Sequence, residues 1–526
     1  MKIFLLVLAL SATSGSAYAE SLKLDAFVPA ECESLLSADF SAIPDATIQI
    51  TRVNAIMAEA DVAAHCLVKG YIAPNVGIKM SLPVRWNGKF MEMGCAVFCG
   101  EMKTDELYWT GCGNAVRKGY ACIMSDMGHN GTWGDVLWAY DNLQAELDWG
   151  FRAAHVVAVA GKALAEYYYR SAPERSYFMG CSTGAREALQ EAQRFPWDFD
   201  GIIAGAPPVE MSTLYLTSLW SFRATHDGDG KTIFTDDDLK LLHDAAIAKC
   251  DLDDPLHCSF NPAVLICRAG QTSGCLSSAK IAAAESVYSG PTNSKGQKLS
   301  LGGPAVGAEL TWGREGSADL VANGFRYLFV LPAPGPSWRL SDFDVDRDYR
   351  RLSVMKSVYD SNNPDLRTFK AAGGKLLAVQ GLNDSVIARQ STDYYETVQR
   401  TMGSRVATQD FFRLFTVPGM DHCAGGEGAF AIDYLSYLEG WVERGQAPDK
   451  MIGAHVDEQY LNYLKEHSAP EIQHLTPDVG AFLLAFPLDS NVPVTFTRPV
   501  FPYPIKARYN GRGDPNDAMS YGPGKQ

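Results

Sequence analysis

Tyr177-Phe178-Met179-Gly180-Cys181-Ser182-Thr183-Gly184-Ala185-Arg186-Glu187-Ala188-Leu189-Gln190-Glu191-Ala192 carries the pattern that decides the fold. The apolar triplet predicts a strand, the run of strong helix formers predicts a helix, and Gly-x-Ser-x-Gly sits at their join. Gly180 and Gly184 suit such a join, because the turn is sharp, flanking side chains would collide, and the serine hydroxyl has to protrude. Ser182 then stands at a helix N-terminus, where backbone N–H groups and the helix dipole favour a developing oxyanion. On this reading Ser182 is a nucleophile and the N–H of Thr183 is an oxyanion donor.

Outward from this elbow the chain alternates strand and helix signals up to about residue 205. Tyr120-Ala121-Cys122-Ile123-Met124 predicts a short buried strand, Leu147 to Tyr169 a long helix, and Tyr177-Phe178-Met179 another strand. This βαβ rhythm predicts a mainly parallel sheet, and with the elbow it predicts an α/β-hydrolase core. The texture changes over residues 209–350, with four cysteines, Ser300-Leu301-Gly302-Gly303-Pro304, and Leu331-Pro332-Ala333-Pro334-Gly335-Pro336, which predicts a large inserted lid domain. Beyond it, Lys375-Leu376-Leu377-Ala378-Val379-Gln380 and Phe411-Phe412-Arg413-Leu414-Phe415-Thr416-Val417 resume strand patterns with helical periodicity between them. The catalytic domain is therefore expected to comprise residues 20–208 and 351–526, its sheet interrupted and then completed.

Residues 1–19 form an export pattern: Lys2, an apolar run from Ile3 to Leu10, and a small-residue exit at Ala17-Tyr18-Ala19. Cleavage is expected before Glu20, giving a secreted or periplasmic protein. The apolar run is about half the ~20 residues a bilayer span needs, and no later segment is long enough, so no membrane partner is expected. A formal net charge of -15 argues against a nucleic-acid partner, which requires clustered cations to neutralise phosphates.

Twelve cysteines in an exported chain predict disulfides. A zinc reading of Cys250, Cys258, Cys267 and Cys275 lacks paired CxxC knuckles. Outside the local cysteine groups stand Cys181, immediately before the nucleophile, and Cys423.

A serine nucleophile needs a base and the base needs an orienting acid, in the chain order Ser, acid, His for this fold. Gly381-Leu382-Asn383-Asp384-Ser385 follows a strand and places Asp384 at a strand end. Pro418-Gly419-Met420-Asp421-His422-Cys423 also follows a strand and makes His422 the best-placed histidine of ten. Asp421 is set aside as the acid, because neighbours in an extended loop point apart. If Ser182 and His422 meet, Cys181 and Cys423 come within the ~5.5 Å Cα separation a disulfide prefers.

Cys181-Ser182, Asp384 and His422-Cys423 resemble the CS-D-HC signature of the tannase and feruloyl esterase family, which includes the mono(2-hydroxyethyl) terephthalate hydrolases. The likeness extends through Trp86-Asn87-Gly88-Lys89-Phe90, Asp126-Met127-Gly128-His129, Gly205-Ala206-Pro207-Pro208 and Trp441-Val442-Glu443-Arg444-Gly445-Gln446-Ala447-Pro448. The resemblance implies an α/β-hydrolase core, a lid after the elbow, a Cys181–Cys423 bridge, and hydrolysis of aromatic carboxylic esters. It also implies the pairs Cys32 with Cys66, Cys250 with Cys258, and Cys267 with Cys275.

Three departures bear on the site. Cys250-Asp251-Leu252-Asp253-Asp254-Pro255-Leu256-His257-Cys258 is short and lacks the glycine of the relatives' calcium loop, so neither a metal nor another cofactor is expected. A C-terminal cysteine pair is absent from the sequence. Met93-Gly94-Cys95-Ala96-Val97-Phe98-Cys99-Gly100 is less glycine-rich than the usual oxyanion stretch, with Cys95 or Ala96 N–H expected beside that of Thr183. The pairing of Cys95, Cys99, Cys112 and Cys122 stays open.

Other features are read as structural. Asp342-Phe343-Asp344-Val345-Asp346-Arg347-Asp348 lacks the EF-hand glycine and glutamate and predicts a solvated face or strand edge. Asp126 and His129 lie upstream of the nucleophile, against the expected order. Trp312, Phe325, Tyr327, Phe329 and Trp338 could line a pocket but suit a core, and Arg314, Arg326 or Arg339 could grip a substrate carboxylate. The sequence thus predicts a serine esterase acting through an acyl-enzyme on a small aromatic ester. A lactonase or amidase with the same triad, or a silent hydrolase-fold binding protein, is the alternative; the oligomeric state is left open.

Overall fold

The computed structural model describes residues 28–58, 63–102, 111–132, 134–227, 230–250, 256, 258–312, 318–384, 387–457, 459–460 and 492–524. The export pattern at residues 1–19 lies outside the described residues.

Nine strands form the central sheet: β1 (Ile48–Ile56), β2 (His65–Ile72), β3 (Val76–Pro83), β4 (Lys89–Met93), β5 (Ala121–Ser125), β6 (Arg175–Cys181), β7 (Gly201–Gly205), β8 (Lys375–Gly381) and β9 (Phe412–Val417). Their order is β1-β2-β3-β5-β4-β6-β7-β8-β9. The first three make an antiparallel meander that joins β5 antiparallel. From β5 through β4, β6, β7 and β8 to β9 every pairing is parallel. This is the mainly parallel α/β-hydrolase sheet that the βαβ rhythm predicts.

The parallel strands are apolar on both faces because both faces are covered. Successive side chains point to opposite sides. Phe178, Ile202, Ala204, Leu376 and Ala378 enter one core, shared with helices Ala153–Tyr169 and Thr183–Arg194. Tyr177, Met179, Ile203, Leu377 and Val379 enter the other, against helix Tyr434–Arg444. The two cores together pin the C-terminal ends of β6, β8 and β9 at one rim.

The long helix expected from Leu147 to Tyr169 is not uniform. An α-helical turn at Leu143–Leu147 runs into a π-turn at Asp148–Arg152 and then into helix Ala153–Tyr169. Buried Asp148 is paired with Arg152 at 2.6 Å, and the fully buried Arg186 guanidinium donates to the carbonyls of Trp149 and Gly150 at 2.6 and 2.5 Å. Those side-chain bonds compete with the regular i to i−4 ladder.

Between Gly205 and Lys375 the described chain adds no strand to this sheet. Phe234, Leu239, Leu242, Ile281, Val287 and Trp312 form a separate small core there. Val321, Phe325, Phe329, Trp338 and Phe343 instead share the sheet's own core, as do Tyr215 and Leu219. Phe329 meets Phe98 at 6.4 Å and Tyr359 at 5.8 Å between ring centroids. The lid aromatics Trp312, Phe325, Tyr327, Phe329 and Trp338 are all buried, as core residues are.

The acidic run at 342–348 departs from its expected solvated face or strand edge. Asp344 caps helix Val345–Leu352 by accepting from the Arg347 N–H, and Asp348 is buried with ion pairs to Arg347 and Arg351 at 2.6 and 3.0 Å. Asp126 accepts from Gly77 N–H and Gly128 N–H, while His129 Nε2 donates to Phe98 O and its ring stacks on Trp138, so both serve the scaffold. Arg326 is spent on Trp338 O and Asn323, and Arg314 lies outside the described residues.

Candidate active site

Ser182 follows β6 directly and begins helix Thr183–Arg194. Its φ of 57° lies in the left-handed region, a strained setting for a side-chain-bearing residue. The turn is fixed on both sides: Ser182 N–H donates to Gly205 O at 2.9 Å, and Ser182 O accepts from Ala185 and Arg186 N–H at 2.9 and 3.0 Å. The glycine requirement is steric. A Cβ on Gly180 would lie 2.4 Å from the backbone of Gly184, and one on Gly184 would lie 2.9 Å from Cys95 O.

Asp384 and His422 follow β8 and β9 at the same rim. Asp384 Oδ2 accepts from His422 Nδ1 at 2.8 Å and from Gln380 Nε2 at 3.0 Å. The Asp384 side chain is 4% exposed and that of His422 39%, so the acid is enclosed while the imidazole opens outward. With Nδ1 directed to the acid, the ring's other nitrogen, Nε2, lies on the side turned away from Asp384. The two loops are stitched together by backbone bonds, Leu382 N–H to Val417 O at 3.1 Å and Asn383 N–H to Met420 O at 3.0 Å.

A disulfide joins Cys181 to Cys423 across 242 positions, with Cα atoms 6.0 Å apart. The residues on either side of that bridge are Ser182 and His422. The structure thus brings all three expected triad residues to one rim, with the loops that carry Ser182 and His422 covalently linked. The remaining bridges are Cys32–Cys66, Cys250–Cys258, Cys267–Cys275, Cys95–Cys99 and Cys112–Cys122.

The helix-starting N–H of Thr183 has no acceptor within its own helix. Cys95 N–H is already engaged, donating to Glu187 Oε2 at 3.2 Å, which leaves Ala96 of the two residues expected beside Thr183. Thr183 also secures this loop by donating from Oγ1 to Val97 O at 2.6 Å.

Sequence reading missed Gln380 and Ser391. Ser391 Oγ donates to Gln380 Oε1 at 2.6 Å, orienting the amide that donates to Asp384. The signal was a polar residue ending an apolar strand, four places before the acid.

Among the described residues, His155, Glu191 and Asp198 lie close enough to hold a cation. His155 and Asp198 are bonded to each other at 2.6 Å, with Lys162 3.9 Å from Asp198. The cysteine-bounded loop considered for calcium, residues 251–255 and 257, lies outside the described residues.

The chain matches the profile of the family described as tannase and feruloyl esterase over residues 60–324 and 335–523. It belongs to the tannase and feruloyl esterase family. Similar relatives of this tannase-family chain include an uncharacterized esterase of Xanthomonas campestris pv. campestris, 31% identical, covering 87% of this chain and 84% of the relative. A mono(2-hydroxyethyl) terephthalate hydrolase of Piscinibacter sakaiensis is 30% identical, covering 89% and 86%. The fold is shared with feruloyl esterase B from Aspergillus oryzae, at a TM-score of 0.79 and 24% identity, over 95% of this chain and 100% of that one. This member of the tannase and feruloyl esterase family is a carboxylic ester hydrolase.

Proposed function

We propose that the chain hydrolyses aromatic carboxylic esters through an acyl-enzyme on Ser182, with His422 as general base and acid and Asp384 as its orienting carboxylate. The observation that carries this is the 2.8 Å bond from His422 Nδ1 to Asp384 on a loop disulfide-linked to the serine elbow. His422 takes the Ser182 proton as Oγ attacks the ester carbonyl, and Asp384 stabilises the imidazolium that forms. The N–H groups of Thr183 and Ala96 receive the oxyanion. His422 then protonates the departing alcohol, and water, activated by the same imidazole, releases the acid and restores the serine.

An aromatic acyl group is favoured by the relatives' names, which specify feruloyl esters and mono(2-hydroxyethyl) terephthalate. The partner is accordingly a small ester, with no nucleic acid or membrane required. Export is the matching location, supported by the pattern at residues 1–19 and by six disulfides.

The test is a hydrolysis panel on purified protein with methyl ferulate, methyl gallate and a terephthalate half-ester, alongside lactones and anilides. Ser182→Ala should stay folded and lose nearly all turnover. Undiminished hydrolysis by that variant overturns the reading, and a preference for lactones or anilides over every ester reassigns the substrate.

A further inference from the structure

The segment from Gly94 to Cys99 is tied to the nucleophile helix by a side chain that the triad does not use. Glu187, fully buried on that helix, accepts from Cys95 N–H through Oε2 at 3.2 Å. Its Oε1 lies 2.9 Å from Cys95 Sγ and 3.8 Å from Cys99 Sγ. Those sulfurs are bonded to each other and carry no hydrogen. The short contact becomes a hydrogen bond only when the carboxyl holds the proton and donates O–H to sulfur. On the other side of the segment Thr183 Oγ1 holds Val97 O at 2.6 Å, and Gly184 packs so close to Cys95 O that no side chain fits. Ala96 is the residue enclosed by these ties.

We propose that Glu187, as a neutral carboxylic acid, and the Cys95–Cys99 bridge form a positioning device that holds the Ala96 N–H beside that of Thr183 for the oxyanion. This rests on the Ser182 acyl-transfer reading. The acid's surroundings agree with a neutral form, since burial pushes Glu187 up to about 7. The titratable groups facing it are Arg186, which together with the Cys95 N–H partly offsets the burial, and Glu92 on β4, itself pushed well above the usual carboxylate range by burial. Arg186 directs its guanidinium to the Trp149 and Gly150 carbonyls and over the Trp149 ring.

The test compares Glu187→Ala, Glu187→Gln and the double variant Cys95→Ser with Cys99→Ser, using kcat and KM on methyl ferulate and thermal melting for folding. Glu187→Ala and the double variant should lower kcat by about 10 to 100-fold with KM moved less than about threefold, because the oxyanion contacts act in the transition state. Glu187→Gln keeps one acceptor and one donor and should return kcat to within about threefold of the parent. The parent should lose kcat relative to Glu187→Gln as pH rises through about 7. Folded Glu187→Ala with unchanged kcat, or Glu187→Gln as poor as Glu187→Ala, overturns the proposal. Should Glu187→Ala fail to fold, the pH comparison decides, and a flat parent-to-Gln ratio overturns it. Ser182→Ala in the same assay separates the two readings: inactive Ser182→Ala with indifferent Glu187 variants removes only the positioning role, whereas active Ser182→Ala removes both.

Discussion

His422 Nδ1 donates to Asp384 Oδ2 over 2.8 Å, although the residues stand 38 positions apart on loops after different strands. The bond sets the tautomer that presents Nε2 outward. Asp384→Asn keeps the volume but reverses the hydrogen-bonding character of one atom. It should lower kcat by about 10⁴-fold with little change in melting temperature. Steady-state kinetics beside circular dichroism check this; a folded variant of full activity removes Asp384 from the triad.

Gln380 orients Asp384 from below and is itself gripped by Ser391. Gln380→Ala should lower kcat by roughly 10 to 100-fold through a misplaced acid. It should also cost about 1 to 3 kcal/mol of stability, because buried Asp384 loses a donor and the Ser391 hydroxyl keeps only the longer of its two acceptors, Pro207 O at 3.4 Å. Urea unfolding together with kinetics separates the two effects.

The Cys181–Cys423 bridge closes a 242-residue span. The chain-entropy model assigns such a closure about 5 kcal/mol, and removing native bridges typically costs about 2 to 5 kcal/mol. Cys181→Ser with Cys423→Ser should therefore lower the denaturation midpoint and also lose turnover, since elbow and base loop are no longer covalently joined. An unchanged midpoint with unchanged kcat would leave the bridge without a role in either.

Acid groups buried in neutral form give stability a definite slope. Glu187 is pushed from an ordinary 4.5 up to about 7 by burial, so between those values the folded chain holds a proton that the unfolded chain has released. Its contribution is fully present below about pH 4.5, falls as pH rises through about 7, and is constant above. Glu187→Gln should flatten the parent's stability profile across that window by at most about 1.4 kcal/mol per pH unit. Chemical denaturation at several pH values measures the difference, and parallel profiles would show that Glu187 does not titrate there.

The elbow and the parallel sheet were legible because each rests on local chemistry: Gly180 and Gly184 around Ser182, and short apolar runs with both faces buried. The Cys181–Cys423 pairing was legible because the two cysteines flank the residues that had to meet. The π-turn at Asp148–Arg152 was not, since it depends on Arg186 arriving from another helix. Asp348 looked solvated in an acidic run, yet two arginines and a cap bury it. Glu187 looked like an ordinary helix former until its carboxyl was seen against the Cys95 N–H and sulfur. In each case the missing information was a tertiary partner distant in sequence.

β7 and β8 pair directly although Gly205 and Lys375 enclose the whole inserted segment. That segment leaves the sheet at the rim where Ser182, Asp384 and His422 lie, yet Phe325, Phe329, Trp338 and Tyr359 return into the sheet's own core. Only the part built around Phe234, Leu239, Leu242, Ile281, Val287 and Trp312 carries a core of its own. A foreign cap grafted in place of that part alone would leave the sheet's packing whole, whereas one replacing everything between the two strands would strip the floor from beneath it.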